Sequence, residues 1–186
     1  MKRILPVVLL LLIPSMALAH PGHGSGLVAG FSHPFTGVDH LVAMTGVGLW
    51  AAMLGDRARW ALPATFLTMM ALGGAVAMQT GLGALETAVE PAILASVILL
   101  GAVVALALRA PFLVALPMVG PFGLAHGAAH GIEMEGNGLA FGAAMLTATA
   151  LLHCAGLALG RSLNRASVRI AGALALLAGV SLAFAG

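Results

Sequence analysis

Charge is what this chain has least of: 8% of its 186 residues are Asp, Glu, Lys or Arg, against 61% that are hydrophobic. A water-soluble domain could not cover itself with so little polar surface, so the bilayer is the expected solvent. The few arginines stand singly or in short groups and never make a basic face, which excludes nucleic acid as a partner. Cys154 is the single cysteine, so no disulfide forms within a monomer and the compartment must be read from targeting signals. The sole lysine, Lys2, sits at the extreme start, which leaves the rest of the chain unable to hold retinal as a Schiff base. There is no GxxxxGK[ST] run and no length for a nucleotide-binding domain, so any pumping must draw on a gradient or on a separate energising subunit.

What is present is a succession of apolar stretches. Lys2 and Arg3, an apolar core from Ile4 to Ile13, and Ala17-Leu18-Ala19 have the form of a cleaved signal peptide over residues 1–19. The mature chain, 20–186, then divides into six apolar segments: Gly37 to Leu54, Trp60 to Gly81, Ala88 to Leu108, Phe112 to Gly131, Leu139 to Gly160 and Val168 to Ala185. Each is long enough to span as a helix, giving an all-α polytopic membrane protein. A cleaved signal leaves the new N-terminus in the periplasm, so the loops after the first, third and fifth spans face the cytoplasm. Arg57 and Arg59, Arg109, and Arg161, Arg165 and Arg169 follow those same spans, which supports both mature termini being periplasmic in an inner-membrane protein. Pro117, Gly120, Pro121 and Gly123 should kink or break the fourth span.

Ionisable groups inside a membrane are expensive and tend to be functional, which directs attention to the histidines. His33, Asp39 and His40 lie at the outer end of the first span, where Pro34 and Gly37 are expected to keep the backbone from regular helix and so let His33 turn back toward the pair. His126, His130 and Glu133 lie at the outer end of the fourth, and spacings of four and three put them on one helical stripe. His153 lies about 14 residues, hence about 21 Å, into the fifth span, with Thr149 one turn above and Cys154 beside it. Imidazole nitrogen and carboxylate oxygen suit nickel, cobalt or zinc and suit copper(I) poorly. The plainer alternatives are Asp39 as a helix cap with interfacial histidines, and His153 bonded to a backbone carbonyl. Paired histidines could also ligate a b-type haem, or catalytic zinc in an intramembrane enzyme, although no HExxH motif is present.

The chain resembles the HupE/UreJ family of small nickel permeases, which accompany nickel enzymes such as hydrogenase and urease. The likeness is carried by HPGH after the signal, HPFTGVDHLVAM, GLWAAMLGDRARWALP, AHGAAHGIEME and ATALLHCAGLALG. It implies secondary uptake of nickel, sometimes cobalt, as cargo without a resident cofactor, and supply of that metal to a nickel-enzyme maturation system. It implies that metal passage uses His33, Asp39 and His40, followed by a fourth-span motif that lands on His126, His130 and Glu133. Ala128 stands where that motif commonly has a middle histidine. Neutral imidazole binds metal and imidazolium does not, so uptake is expected to fall as external pH drops below about 6.5. Initial uptake rates across that range check this, and a flat profile would contradict histidine ligation.

Overall fold

In a computed structural model that describes residues 26–133 and 137–185, every regular element is a helix. In chain order these are α1 (Leu27–Thr36), α2 (Val38–Leu54), α3 (Ala58–Thr80), α4 (Val89–Ala105), α5 (Phe112–Glu133), α6 (Gly138–Ser162) and α7 (Arg165–Ala185), with a short 3-10 turn, Gly83–Ala88, leading into α4. The expected signal segment, His20, His23 and Glu135 lie outside the described residues.

Five helical segments are long and apolar enough to cross a membrane, and α1 with α2 makes a sixth if that bent pair counts as one span. Alone, the 17 residues of α2 extend about 26 Å, a little short of the roughly 30 Å hydrocarbon core. The six-segment division therefore holds, with one addition. Residues Leu27–Thr36, outside the six apolar segments, form a helix that contains Pro34, so that of the stretch from His33 to His40, expected to be irregular, only Gly37 is non-helical. The two helices meet there at 81°. Proline forfeits one backbone hydrogen bond, which a short helix ending two residues later tolerates; the turn is made at Gly37.

The fourth segment also departs from expectation. α5 runs without a break from Phe112 to Glu133 although Pro117 and Pro121 lie inside it. Transmembrane helices tolerate proline where neighbouring helices and local adjustment re-satisfy the freed backbone groups. Just beyond the two prolines α5 lies in backbone contact with α3 from Gly123 to Gly131. A Cβ on Gly127 would sit on the Met70 carbonyl group, 2.7 Å from its carbon, and 2.9 Å from the Gly74 nitrogen. Small residues at such crossings are how membrane helices gain packing energy where lipid is as apolar as leucine.

The same device joins α2 to α6, where Gly48 and Gly156 face each other and a Cβ on either would come within 3.0 Å of the other's Cα. α4 pairs with α7 through Gly101, Gly172 and Gly179. Around these contacts Val47, Trp50, Leu62, Phe66, Val97, Leu100 and Val119 are wholly or almost wholly buried. Large apolar side chains such as Leu72, Leu113, Leu151 and Leu177 point outward, as a lipid-facing surface requires. α6 and α7 begin on asparagine caps: Asn137 accepts from the Ala140 N–H at 3.1 Å and Asn164 from the Ser167 N–H at 2.9 Å.

Replacing Gly127 with alanine should force α3 and α5 apart and destabilise the protein by about 1–3 kcal/mol. Gly142, where a Cβ would meet nothing within 4 Å, is the control, and its alanine variant should be neutral or gain up to about 1 kcal/mol. Thermal unfolding of the two purified variants in detergent measures the difference, and equal stabilities would contradict the packing account.

Candidate metal centre

The histidine-bearing ends of three helices meet at one end of the bundle. His33 closes α1, His40 opens α2 and His130 lies in the last turn of α5. One nitrogen from each of the three lies within 4.8 Å of the other two. His40 and His130 are buried and His33 is half-buried. The His33 ring stands edge-on to both others, with centroids 5.4 Å from His40 and 4.6 Å from His130.

Gly37 matters here through its missing side chain. A Cβ at that position would lie 2.9 Å from the Asp39 carboxylate and 3.2 Å from His40 Nδ1. Glycine thus leaves open the space in which Asp39 Oδ1 approaches His40 Nδ1 to 3.0 Å. His40 Nε2 and His130 Nε2 are 2.7 Å apart, a hydrogen-bonding distance. One of the two Nε2 atoms donates to the other, and which one follows from the tautomers; the Nδ1 atoms of both rings make no hydrogen bond, and that of His40 lies against the Asp39 carboxylate as a close electrostatic contact. Two nitrogens each about 2.1 Å from one ion at a right angle lie roughly 3 Å apart, so the contact needs little adjustment to admit a metal.

The first-span and fourth-span histidines, two constellations along the sequence, form one cluster in the structure. His126 extends the cluster inward, its ring centroid 4.9 Å from that of His40. Its Nδ1 donates to the Phe122 carbonyl at 2.9 Å, and its buried Nε2 has no partner. Glu133 is the last residue of α5. Ala128 lies about 200° around α5 from His126 and His130 and packs with Ala77 and Ile93. A histidine at that position would therefore start from the other side of the helix.

His153 is deeper and repeats the His126 pattern. Its Nδ1 donates to the Met44 carbonyl at 2.7 Å, a reach made possible by the close Gly48–Gly156 crossing, and its buried Nε2 also lacks a partner. The carbonyl-bonded alternative is thus correct for one ring nitrogen and leaves the other available. A backbone carbonyl on one nitrogen is also what commonly orients a histidine whose second nitrogen binds metal. Cys154, in contrast, is exposed and takes no part.

Sequence reasoning missed the residues that connect the two levels. Phe66 of α3 is fully buried, and its ring lies 5.4 Å from that of His126 and 5.1 Å from that of His153. Beside it Thr149 donates to the Met44 sulfur at 3.2 Å, with the Met70 sulfur at 3.7 Å. Phe66 and Met70 are one turn apart on a thoroughly apolar helix, and nothing in the sequence distinguishes them from packing.

Two comparisons bear on what such a constellation belongs to. The family described as HupE / UreJ protein matches residues 8–182. Protein HupE of Rhizobium leguminosarum bv. viciae is 40% identical over 179 residues, 92% of each chain. No solved structure matches. A match that reaches into every described helix and includes every histidine of the cluster, at this identity, places the chain in the HupE/UreJ family of multi-pass membrane proteins.

Proposed function

We propose that this chain is a secondary permease that takes up a divalent transition metal, nickel before cobalt, across the inner membrane. The observation that carries this reading is the convergence of His33, His40 and His130 from three helices inside an otherwise apolar bundle. Three imidazoles are borderline nitrogen donors, right for nickel, cobalt or zinc, and selection among these follows from geometry more than from raw affinity. The metal is cargo here, with no resident cofactor, and its destination is a nickel-enzyme maturation system. The histidine end faces the periplasm together with both mature termini, and the arginine-bearing ends of the helices face the cytoplasm, in keeping with the positive-inside rule.

Asp39 serves this centre through His40. With Oδ1 beside Nδ1, the carboxylate holds the imidazole so that Nε2 points its lone pair at the ion, and its charge lowers the cost of bringing a dication into a medium of low dielectric. The ion then passes His126 and reaches His153, each presenting a bare Nε2 held by a carbonyl on the opposite nitrogen. Phe66 touches both inner imidazoles, so its ring is the apolar barrier between them, and the unbranched, flexible Met44 and Met70 side chains packed nearby are the ones that yield when it swings.

Reconstitution of the chain alone into liposomes tests the reading and distinguishes it from a subunit driven by partner ATPases. Nickel should accumulate, cobalt should compete, and His40→Ala should abolish the flux. Asp39→Asn should weaken metal binding by about 10–100-fold without changing the number of ions bound, as loss of an orienting partner does. No flux by the wild-type protein, or full activity in His40→Ala, would reject the permease reading.

Changes at Phe66 should separate rate from affinity. Phe66→Leu is expected to raise the maximal rate and Phe66→Trp to lower it by about tenfold, with metal affinity at the outer centre altered by less than about threefold. Initial rates beside equilibrium binding check this, and a parallel loss of both would make Phe66 a packing residue only.

A further inference from the structure

The opposite end of the bundle holds a second concentration of charge, unrelated to the histidines. Arg109, from the segment after α4, and Arg165 and Arg169, from the first turns of α7, line one recess of about 210 Å³. Met53 of α2 and Leu163 and Val168 make its apolar wall. Among the described residues, no carboxylate lines it.

Three guanidinium groups drawn into one place repel one another, and guanidinium stays charged at any accessible pH. Local structure nevertheless holds them there. Arg109 follows Ala107, whose left-handed backbone (φ 54°) turns the chain out of α4. Arg169 is tied by its Nε to the Ala105 carbonyl at 2.8 Å while still lining the recess. Arg165 is fixed at the start of α7, where the Asn164 cap sets the direction of the helix. All three arginines are exposed, and only Arg169 is tied to the backbone, so the cluster is open to an anion from outside the chain.

We infer that this recess binds a phosphate group, and that the phosphate belongs to an anionic lipid headgroup. Arginine forks match phosphate oxygens two at a time. The recess lies where α2, α4 and α6 end and α7 begins, which is the headgroup level of a spanning bundle, and basic pockets between transmembrane helices take such headgroups. One water occupies about 30 Å³ of liquid, so the recess has room for a phosphodiester with some of its glycerol. The apolar wall favours a lipid over free phosphate, because it offers a surface to the carbons that follow the headgroup. A lipid held there would brace the α4–α7 pair against α2 and α6. Nothing in this inference depends on metal transport.

Purified full-length protein in neutral detergent, titrated with phosphatidylglycerol or phosphatidylcholine and read by native mass spectrometry, tests it. Phosphatidylglycerol should bind at least about tenfold more tightly, the preference expected when forked arginine donors meet an anionic phosphate. Arg109→Gln with Arg165→Gln should abolish that preference, whereas Arg57→Gln with Arg59→Gln, which removes equal charge at the same end, should keep it. Should the first pair fail to yield monodisperse protein, Arg165→Lys keeps the charge and loses the fork, and should weaken binding by about threefold or more. Millimolar inorganic phosphate is a separate arm: displacement of the lipid identifies free phosphate as a competing occupant, and no displacement assigns the recess to lipid. Equal binding of the two lipids by wild type, or a preference that survives loss of the recess arginines, would overturn the inference.

Discussion

Backbone-to-backbone contact between helices is the condition on which the rest of this structure depends. Inside a bilayer no hydrophobic force draws helices together, so association comes from van der Waals contact and from polar groups that find partners. The glycine-faced crossings of α3 with α5 and of α2 with α6 supply the first. They also decide the second, because an imidazole on one helix reaches a neighbouring helix only when the two lie close. His153 meets the Met44 carbonyl at the Gly48–Gly156 crossing. His130 meets His40 where α5 lies against the bundle. Packing and ligand geometry are therefore one arrangement in this protein.

Hydropathy revealed the spans because the physics is one-dimensional: a stretch of about 20 apolar residues has few fates other than crossing the membrane. The residue types at the centre were legible for a related reason, since an ionisable side chain in such a stretch demands an explanation. That demand, together with their spacing and the motifs around them, marks His33, His40 and His130. What the sequence could not show is how those helices are arranged about one another. The fourth-span histidines looked like a separate station because spacing along one helix says nothing about which neighbour it faces. Pro117 and Pro121 suggested a break, whereas α5 is continuous through both and packs against α3 just beyond them. Phe66 and Met70 were invisible because an aromatic ring and a thioether on an apolar helix read as core until their neighbours are known.

The bend at Gly37 shows the difference between a local rule and its setting. The nearby proline was the obvious suspect, yet it sits inside α1, and the turn comes three residues later. Glycine's φ of −83° and ψ of 120° at that position are open to most residues, so conformational freedom is not the reason for it. Space is: a Cβ there would crowd the His40 ring and push the Asp39 carboxylate out of its place beside it. A residue that reads as a hinge in the sequence thus acts as clearance for an electrostatic pair.

The 2.7 Å contact between His40 Nε2 and His130 Nε2 has a consequence for what enters and what leaves. A nitrogen pair at that separation holds a hydrogen between its members. On the proposed reading, that hydrogen occupies the seat an arriving cation would take, so the two occupants are mutually exclusive. Loading requires the hydrogen to move to the other nitrogen of its ring, since outright loss would leave a neutral imidazole as an imidazolate. The incoming ion therefore brings its full charge into the bundle. At that seat unloaded and loaded protein differ by a swap rather than by a simple addition, and the empty centre never stands as a naked pair of lone pairs facing one another.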